Sequence, residues 1–242
     1  MKTVIEPTRP LPPNLAGNEA TGIQAGEPVA QYELGPYRNF VYLAIDWFER
    51  SALWIDPSEE IDGVLHDLQS HRIELKGIVL THSHHDHISG VPGLLLLFPQ
   101  LPLYVHPADA HRLGENLRST LKEIQDGDLI SISGNGADSL ALQVIHAPGH
   151  SAGELCLSFT ANQDRYLFTG DTLFIRDCGR TDLPTGNDAE MFATLQRLKK
   201  LPSETIILPG HHYTHECASR LESELQLSPP LLSKTIEELA AL

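Results

Sequence analysis

The chain has 242 residues, 41% of them hydrophobic, with 32 acidic against 17 basic side chains and a formal net charge of −15. That length supports one large domain or two small ones, and the acidic balance leaves no basic stripe to neutralise a phosphate backbone, which argues against nucleic acid as a partner. Three cysteines, Cys156, Cys178 and Cys217, form neither a CxxC pair nor an even framework, so a reducing cytoplasm is expected.

Met1 to Pro28 holds five prolines and several glycines without apolar periodicity, and reads as an extended or disordered leader ahead of one domain over residues 29–242. It has no apolar h-region, and Glu6, Glu19 and Glu27 argue against a transit peptide. The apolar run Gly77-Ile78-Val79-Leu80 predicts a strand, and it ends at Thr81-His82-Ser83-His84-His85-Asp86-His87. Crowding imidazoles and a carboxylate into such a turn costs desolvation and repulsion that a cation removes. A mixed His/Asp set without thiolates suits a catalytic transition metal better than a structural zinc. His85 falls in the variable slot of this loop and is expected at the rim. Leu94-Leu95-Leu96-Leu97-Phe98 is far too short to span a bilayer and reads as a buried helix face, so no membrane association is expected.

Three further strand predictions end in the same way. His150 follows Leu140 to Ile145 within Ala147-Pro148-Gly149-His150, Asp171 follows Tyr166-Leu167-Phe168 within Thr169-Gly170-Asp171, and His211 follows Thr205-Ile206-Ile207 within Leu208-Pro209-Gly210-His211. Four strands that each stop at a turn residue and a potential ligand would gather those side chains at one edge of a sheet. One site drawing on residues 82 and 211 also forbids a domain break between them. His211 and His215 are four apart, but His212 stands where a HExxH protease carries its glutamate. His66, His71, His106 and His111 read as surface residues, and Cys156 as a buried strand residue.

In order and spacing, His82, His84, Asp86, His87, His150, Asp171 and His211 resemble the metallo-β-lactamase superfamily over roughly residues 35–230. The resemblance implies an α/β fold, a four-layer αβ/βα sandwich of two mixed sheets with helices on the outer faces. It also implies two divalent ions, zinc ahead of iron or manganese, with His82, His84 and His150 on the first, Asp86, His87 and His211 on the second, and Asp171 bridging. The true lactamases usually carry Cys, Ser or His where this chain has Asp171.

Phe168 to Asp182, with Gly210-His211-His212-Tyr213-Thr214, resembles the glutathione-handling branch that contains glyoxalase II and the persulfide dioxygenases. By that resemblance Arg180 and Tyr213 would contact the glutathione moiety. A guanidinium meets a carboxylate through two parallel hydrogen bonds, although pairing of Arg180 with Asp182 across a turn is the plain alternative. Only about 31 residues follow His211, fewer than glyoxalase II carries there. Leu183-Pro184-Thr185-Gly186-Asn187 is closer to compact hydrolase-like relatives. The implied function is hydrolysis of a thioester of glutathione or a similar small thiol by a metal-bridging hydroxide that Asp86 orients, in a cytoplasmic monomer or homodimer. A mononuclear iron persulfide dioxygenase, holding iron through His82, His150 and Asp171, is the alternative. A catalytically idle metal-binding interaction protein is the third reading, and the complete ligand set weighs against it.

Overall fold

The computed structural model describes residues 9–131 and 140–242. Its first three strands are β1 (Val29–Leu34), β2 (Asn39–Asp46) and β3 (Ser51–Ile55), and β2 is buried along its whole length. Because successive side chains point to opposite faces, Phe40, Tyr42 and Ala44 enter one apolar cluster while Val41, Leu43 and Ile45 enter another. Such a strand needs cover on both sides.

Cover on the outer face comes from α1 (Ile61–His71), through Val64 and Leu68. The chain then runs through β4 (Glu74–Val79), the short α2 (His85–Ile88), α3 (Val91–Leu97), β5 (Leu103–Val105), α4 (Pro107–Ala110) and β6 (Leu121–Glu123). Strands β1 to β6 lie in sequence order in one sheet, antiparallel from β1 to β3 and parallel from β3 to β6.

The second sheet is built from β7 (Leu129–Ser131), β8 (Ala141–His146), β9 (Leu155–Ala161) and β10 (Asp164–Gly170). A small hairpin of β11 (Leu173–Phe174) and β12 (Asp177–Cys178) then leads through α5 (Asp188–Leu198) to β13 (Ile206–Pro209) and β14 (Ser219–Arg220). Its order is β14-β13-β10-β9-β8-β7, with β10 and β13 as the parallel pair. Leu142, Val144, Leu155, Leu157, Phe159 and Phe168 face the first sheet, while Cys156, Leu167 and Ile207 face outward. On that outer side lie α5, α6 (Leu221–Leu227), α7 (Pro229–Leu232) and α8 (Ile236–Ala240). Helix α5 starts at Asn187, whose side chain accepts from Glu190 N, and it buries Met191, Leu195 and Leu198. Each such apolar side chain contributes about 1.5–3 kcal/mol of transfer free energy. The four-layer αβ/βα sandwich expected from the sequence is the architecture observed.

Two regions differ in detail from expectation. The helix after the metal loop buries Val91 and Leu94, but Leu96 is 82% exposed and Leu97 and Phe98 are also exposed, so the Leu94–Phe98 run is not a buried face throughout. Its residues lie on three sides of a helix covered on one side only. Of the expected leader, residues 1–8 lie outside the described residues, and residues 9–28 carry no regular strand or helix beyond a single bridge from Gly22 to Gln31, yet they are packed against the sandwich. Leu15 is buried, Asn14 Nδ2 donates to Val29 O at 2.9 Å, and the buried Arg220 guanidinium donates to Arg9 O and Pro10 O, each at 2.6 Å.

Candidate metal centre

Strands β4, β8, β10 and β13 each end just before one of the expected ligands. They belong to both sheets, β4 to the first and the others to the second, so the side chains meet across the edge of the sandwich and not along one sheet as expected. The structure brings all seven together. His82, His87, His150, Asp171 and His211 are buried and His84 and Asp86 are half-buried, whereas His85 points to solvent. A Cβ on Gly210 would collide with Asp171 Oδ1, so the turn into His211 can pass this close only without a side chain.

The donor atoms of His82, His84 and His150 lie within 4.8 Å of one another, as do those of Asp86, His87 and His211. Asp171 stands between the groups. Its Oδ2 is 3.5 Å from His150 Nε2 and 3.3 Å from His211 Nε2, and its Oδ1 is 3.3 Å from His87 Nε2. Each of these histidines has its other nitrogen engaged outward. His150 Nδ1 meets Arg180 O at 2.7 Å, His211 Nδ1 meets Tyr37 O at 2.9 Å, and His87 Nδ1 meets Asp56 Oδ2 at 3.0 Å. Donation through Nδ1 leaves lone pairs on the inward Nε2 atoms. Yet His87 and His211 face each other through Nε2 at 3.2 Å, and His150 Nε2 faces His84 Nδ1 at 2.8 Å. His82 Nε2 and Asp171 Oδ1 are buried with no hydrogen-bond partner among the described residues. Converging lone pairs and orphaned acceptors fit divalent metal ions.

Electrostatics agree with that fit at His82 and His84, whereas at His87 burial is outweighed by Asp171 and Asp56, which hold the imidazole well above its usual range, a proton standing where a cation would. Burial, reinforced by His87, holds His82 well below the usual imidazole range, and burial with His150 brings His84 down to about 4. Both are therefore neutral donors. Burial opposes ionisation of Asp171, but His87 and His211 outweigh it and hold the carboxyl well below the usual range.

A set of polar groups that the ligand pattern did not disclose holds these side chains in place. Asp56 accepts from Thr81 N at 2.7 Å and Thr81 Oγ1 at 2.6 Å as well as facing His87. Asn39 Nδ2 donates to Asp86 Oδ2 at 2.9 Å. Asp109, buried on α4, accepts from Ser83 N at 2.8 Å, Ser83 Oγ at 2.9 Å, Ser151 Oγ at 3.2 Å and Gly153 N at 2.9 Å, clasping the His82–His84 loop to the His150 loop. Asp56 did have a signal, since Ile55-Asp56-Pro57 repeats the strand-then-ligand pattern after β3. Asp109 had none, because its partners are distant in sequence.

Arg180 and Tyr213 border different cavities. Arg180 lies with Cys178, Asp182 and Leu239 in one of about 510 Å³, exposed and bidentate to Asp182 at 2.6 and 2.7 Å. Its backbone carbonyl, not its guanidinium, touches the ligand set. Tyr213 is also exposed, so it is not a core aromatic; its ring stacks on His211 at 4.7 Å between centroids in a cavity of about 460 Å³ shared with Arg38. Two histidines expected at the surface are half-buried. His71 Nδ1 lies 2.9 Å from Asp67 O, and His106 caps α4 and stacks on His146 at 4.1 Å. His66 and His111 are exposed, and Cys156 is buried.

Residues 45–211 match the family model described as the metallo-beta-lactamase superfamily. A hydroxyacylglutathione hydrolase of Aeromonas hydrophila is 40% identical over 182 residues, which cover 74% of this chain and 64% of that protein. The chain thus spans a little under two thirds of that relative's length. The crystal structure of ETHE1 from Myxococcus xanthus superposes with a TM-score of 0.75 at 27% identity, covering 88% of each chain. TTHA1623, solved in a di-iron-bound form, superposes with a TM-score of 0.66 at 29% identity over 82% of this chain and 98% of its own. With this match and the fold and ligand set described above, the chain belongs to the metallo-beta-lactamase superfamily, in the branch of the hydroxyacylglutathione hydrolases and ETHE1.

Proposed function

We propose that the protein hydrolyses a thioester of glutathione or of a similar small thiol. In this reading it holds two divalent ions, zinc ahead of iron or manganese, with His82, His84 and His150 on the first, Asp86, His87 and His211 on the second, and Asp171 shared. The placement of Asp171 carries the reading, since one carboxylate oxygen lies within 3.5 Å of a nitrogen in each histidine group. The likeness to a hydroxyacylglutathione hydrolase supports the substrate class. Such a pair of ions would lower the pKa of bound water towards neutrality and polarise the thioester carbonyl.

The protein's own groups have three tasks. Asp86, restrained by Asn39, would orient the attacking water from the half-buried floor of the site. Carbonyls and carboxylates behind the histidines would keep their Nε2 lone pairs pointed inward. Arg180 and Tyr213 would receive the thiol portion at the exposed rim. The leaving thiol, with a pKa of about 8.5, departs as thiolate with little help from an acid, so no dedicated proton donor is required.

Purified protein should release free thiol from S-lactoylglutathione or a related thioester without consuming oxygen. The likeness to ETHE1 and to a di-iron protein makes iron the variable to control. Oxygen uptake and sulfite formation with glutathione persulfide, with a single iron and no thioesterase activity, would overturn the hydrolase reading in favour of the dioxygenase.

A further inference from the structure

Residues 35–38 turn β1 into β2, and the end of that turn lies against the chain around His211. Arg38 O accepts from His212 N at 2.9 Å, Phe40 N donates to Gly210 O at 2.8 Å, and Tyr37 O meets His211 Nδ1. With its backbone tied to the ligand segment in this way, Arg38 lines the cavity of about 460 Å³ that Tyr213 borders. That cavity abuts the metal centre, because the Tyr213 ring lies on His211 at an interplanar angle of 6°. Asn18, from the segment ahead of β1, forms part of its wall. Arg38 ends the turn in the left-handed region at φ +56°, which favours glycine, so the turn itself does not call for an arginine.

Arg38 is the one arginine or lysine lining this cavity among the described residues. Its Nε donates to Glu33 Oε1 at 2.6 Å and its Nη2 faces His212 Nδ1 at 2.8 Å. These contacts orient the guanidinium and leave Nη1 with no partner among the described residues. Glu216, the one carboxylate in the lining, is itself met by Arg176 Nη2 at 3.3 Å. An oriented, half-exposed guanidinium with open N–H groups beside a metal centre suits a carboxylate. Glutathione carries a carboxylate at each end. We propose that Arg38 is a specificity-determining residue whose guanidinium binds one carboxylate of the thiol portion in the Tyr213 cavity. This inference rests on the reading above for the class of thiol and not on hydrolysis.

S-methylglutathione has no thioester to cleave and so separates binding from turnover, and its diethyl ester, with both carboxylates masked, is the matched control. Calorimetry should find that the parent protein binds S-methylglutathione more tightly than the diester. Arg38→Gln should raise Kd for S-methylglutathione about three- to tenfold, as expected of a charge-assisted contact that solvent partly screens, and leave Kd for the diester unchanged. Glu33→Gln removes the charge that competes for the guanidinium, and should bind S-methylglutathione at least as tightly as the parent. A merely structural Arg38–Glu33 pair would instead weaken binding in both variants. An unchanged Kd in Arg38→Gln would overturn the proposal, as would equal weakening of both probes or any weakening in Glu33→Gln. A parent that hydrolyses thioesters yet binds S-methylglutathione no better than the diester would also overturn it, with the hydrolase reading intact. The expected binding results in a protein that consumes oxygen and cleaves no thioester would uphold the proposal while that reading fails.

Discussion

His82 and His87 are 0% exposed, His150 3% and His211 4%, whereas the Arg180 side chain is 64% exposed and Tyr213 55%. Both rim residues are nonetheless tied to a ligand, Arg180 through its carbonyl to His150 and Tyr213 through its ring to His211. Each buried histidine has an outward nitrogen beside an oxygen and an inward one turned towards the other ligands, so its orientation is set by the fold. The Arg180 guanidinium, by contrast, is paired among the described residues with Asp182, another exposed residue, through a contact that solvent screens. Rigid placement belongs to the ligand set, and adjustable placement to the exposed rim proposed to meet the thiol portion of the substrate. Substitutions in the two regions should therefore differ both in size and in kind.

The largest effect is expected at Asp171. Asp171→Ala removes the carboxylate whose Oδ2 lies within 3.5 Å of both His150 Nε2 and His211 Nε2, and should lower metal content from about two equivalents to one or fewer, with at least about tenfold loss of turnover. Elemental analysis beside the thiol-release assay checks it. Full metal content in this variant would break the comparison at its buried end.

Asp109 tests whether the buried end is held from behind. Asp109→Ala leaves donors on Ser83, Ser151 and Gly153 without their acceptor, which should cost about 3 kcal/mol, a fall of about 6–12 °C in Tm. Calorimetry of the metal-free protein isolates this from metal loss. An unshifted transition would mean that the two loops hold their spacing without the clasp.

At the rim the effects should be smaller and confined to substrate binding. Arg180→Met should raise KM for a glutathione thioester about two- to fivefold, with kcat and metal content little changed, because an exposed, already paired guanidinium adds only modest attraction. A small thioester without the glutathione carboxylates serves as control and should not distinguish mutant from parent. Equal harm to both substrates would assign Arg180 to the support of His150. Tyr213→Phe keeps the ring stacked on His211 and should alter KM least of all, by about twofold at most if its hydroxyl binds the thiol portion through one solvent-exposed hydrogen bond.

Much of the site was legible because its residues sit in local patterns. An apolar run, a turn residue and a ligand type can be read from ten adjacent positions, and His82 to His87, His150, Asp171 and His211 all occur in that form. Asp56 occurs in it too, but one carboxylate after a strand is too common a pattern to single it out. Glu154, Asp109 and Asn39 lie outside any such pattern. Their partners are 17, 26 and 47 residues away, and only packing decides that they meet. The leucine run at 94–98 shows the opposite failure, where composition implied burial that a helix covered on one side does not provide.

By itself the sequence determined the chemistry of the donor set, and its resemblance to the metallo-β-lactamase superfamily implied the layer order. A continuous apolar run such as β2 demands cover on both faces, and residue type decides which atoms can bind a cation. Tertiary structure alone decided that the ligands come from two sheets and that Asp171 falls between the two histidine groups. It also decided that Glu154 is buried behind His82, with its Oε1 accepting from Asp171 N. These are distances between segments far apart in the chain, set by how two twisted sheets close against each other, and no local pattern encodes them.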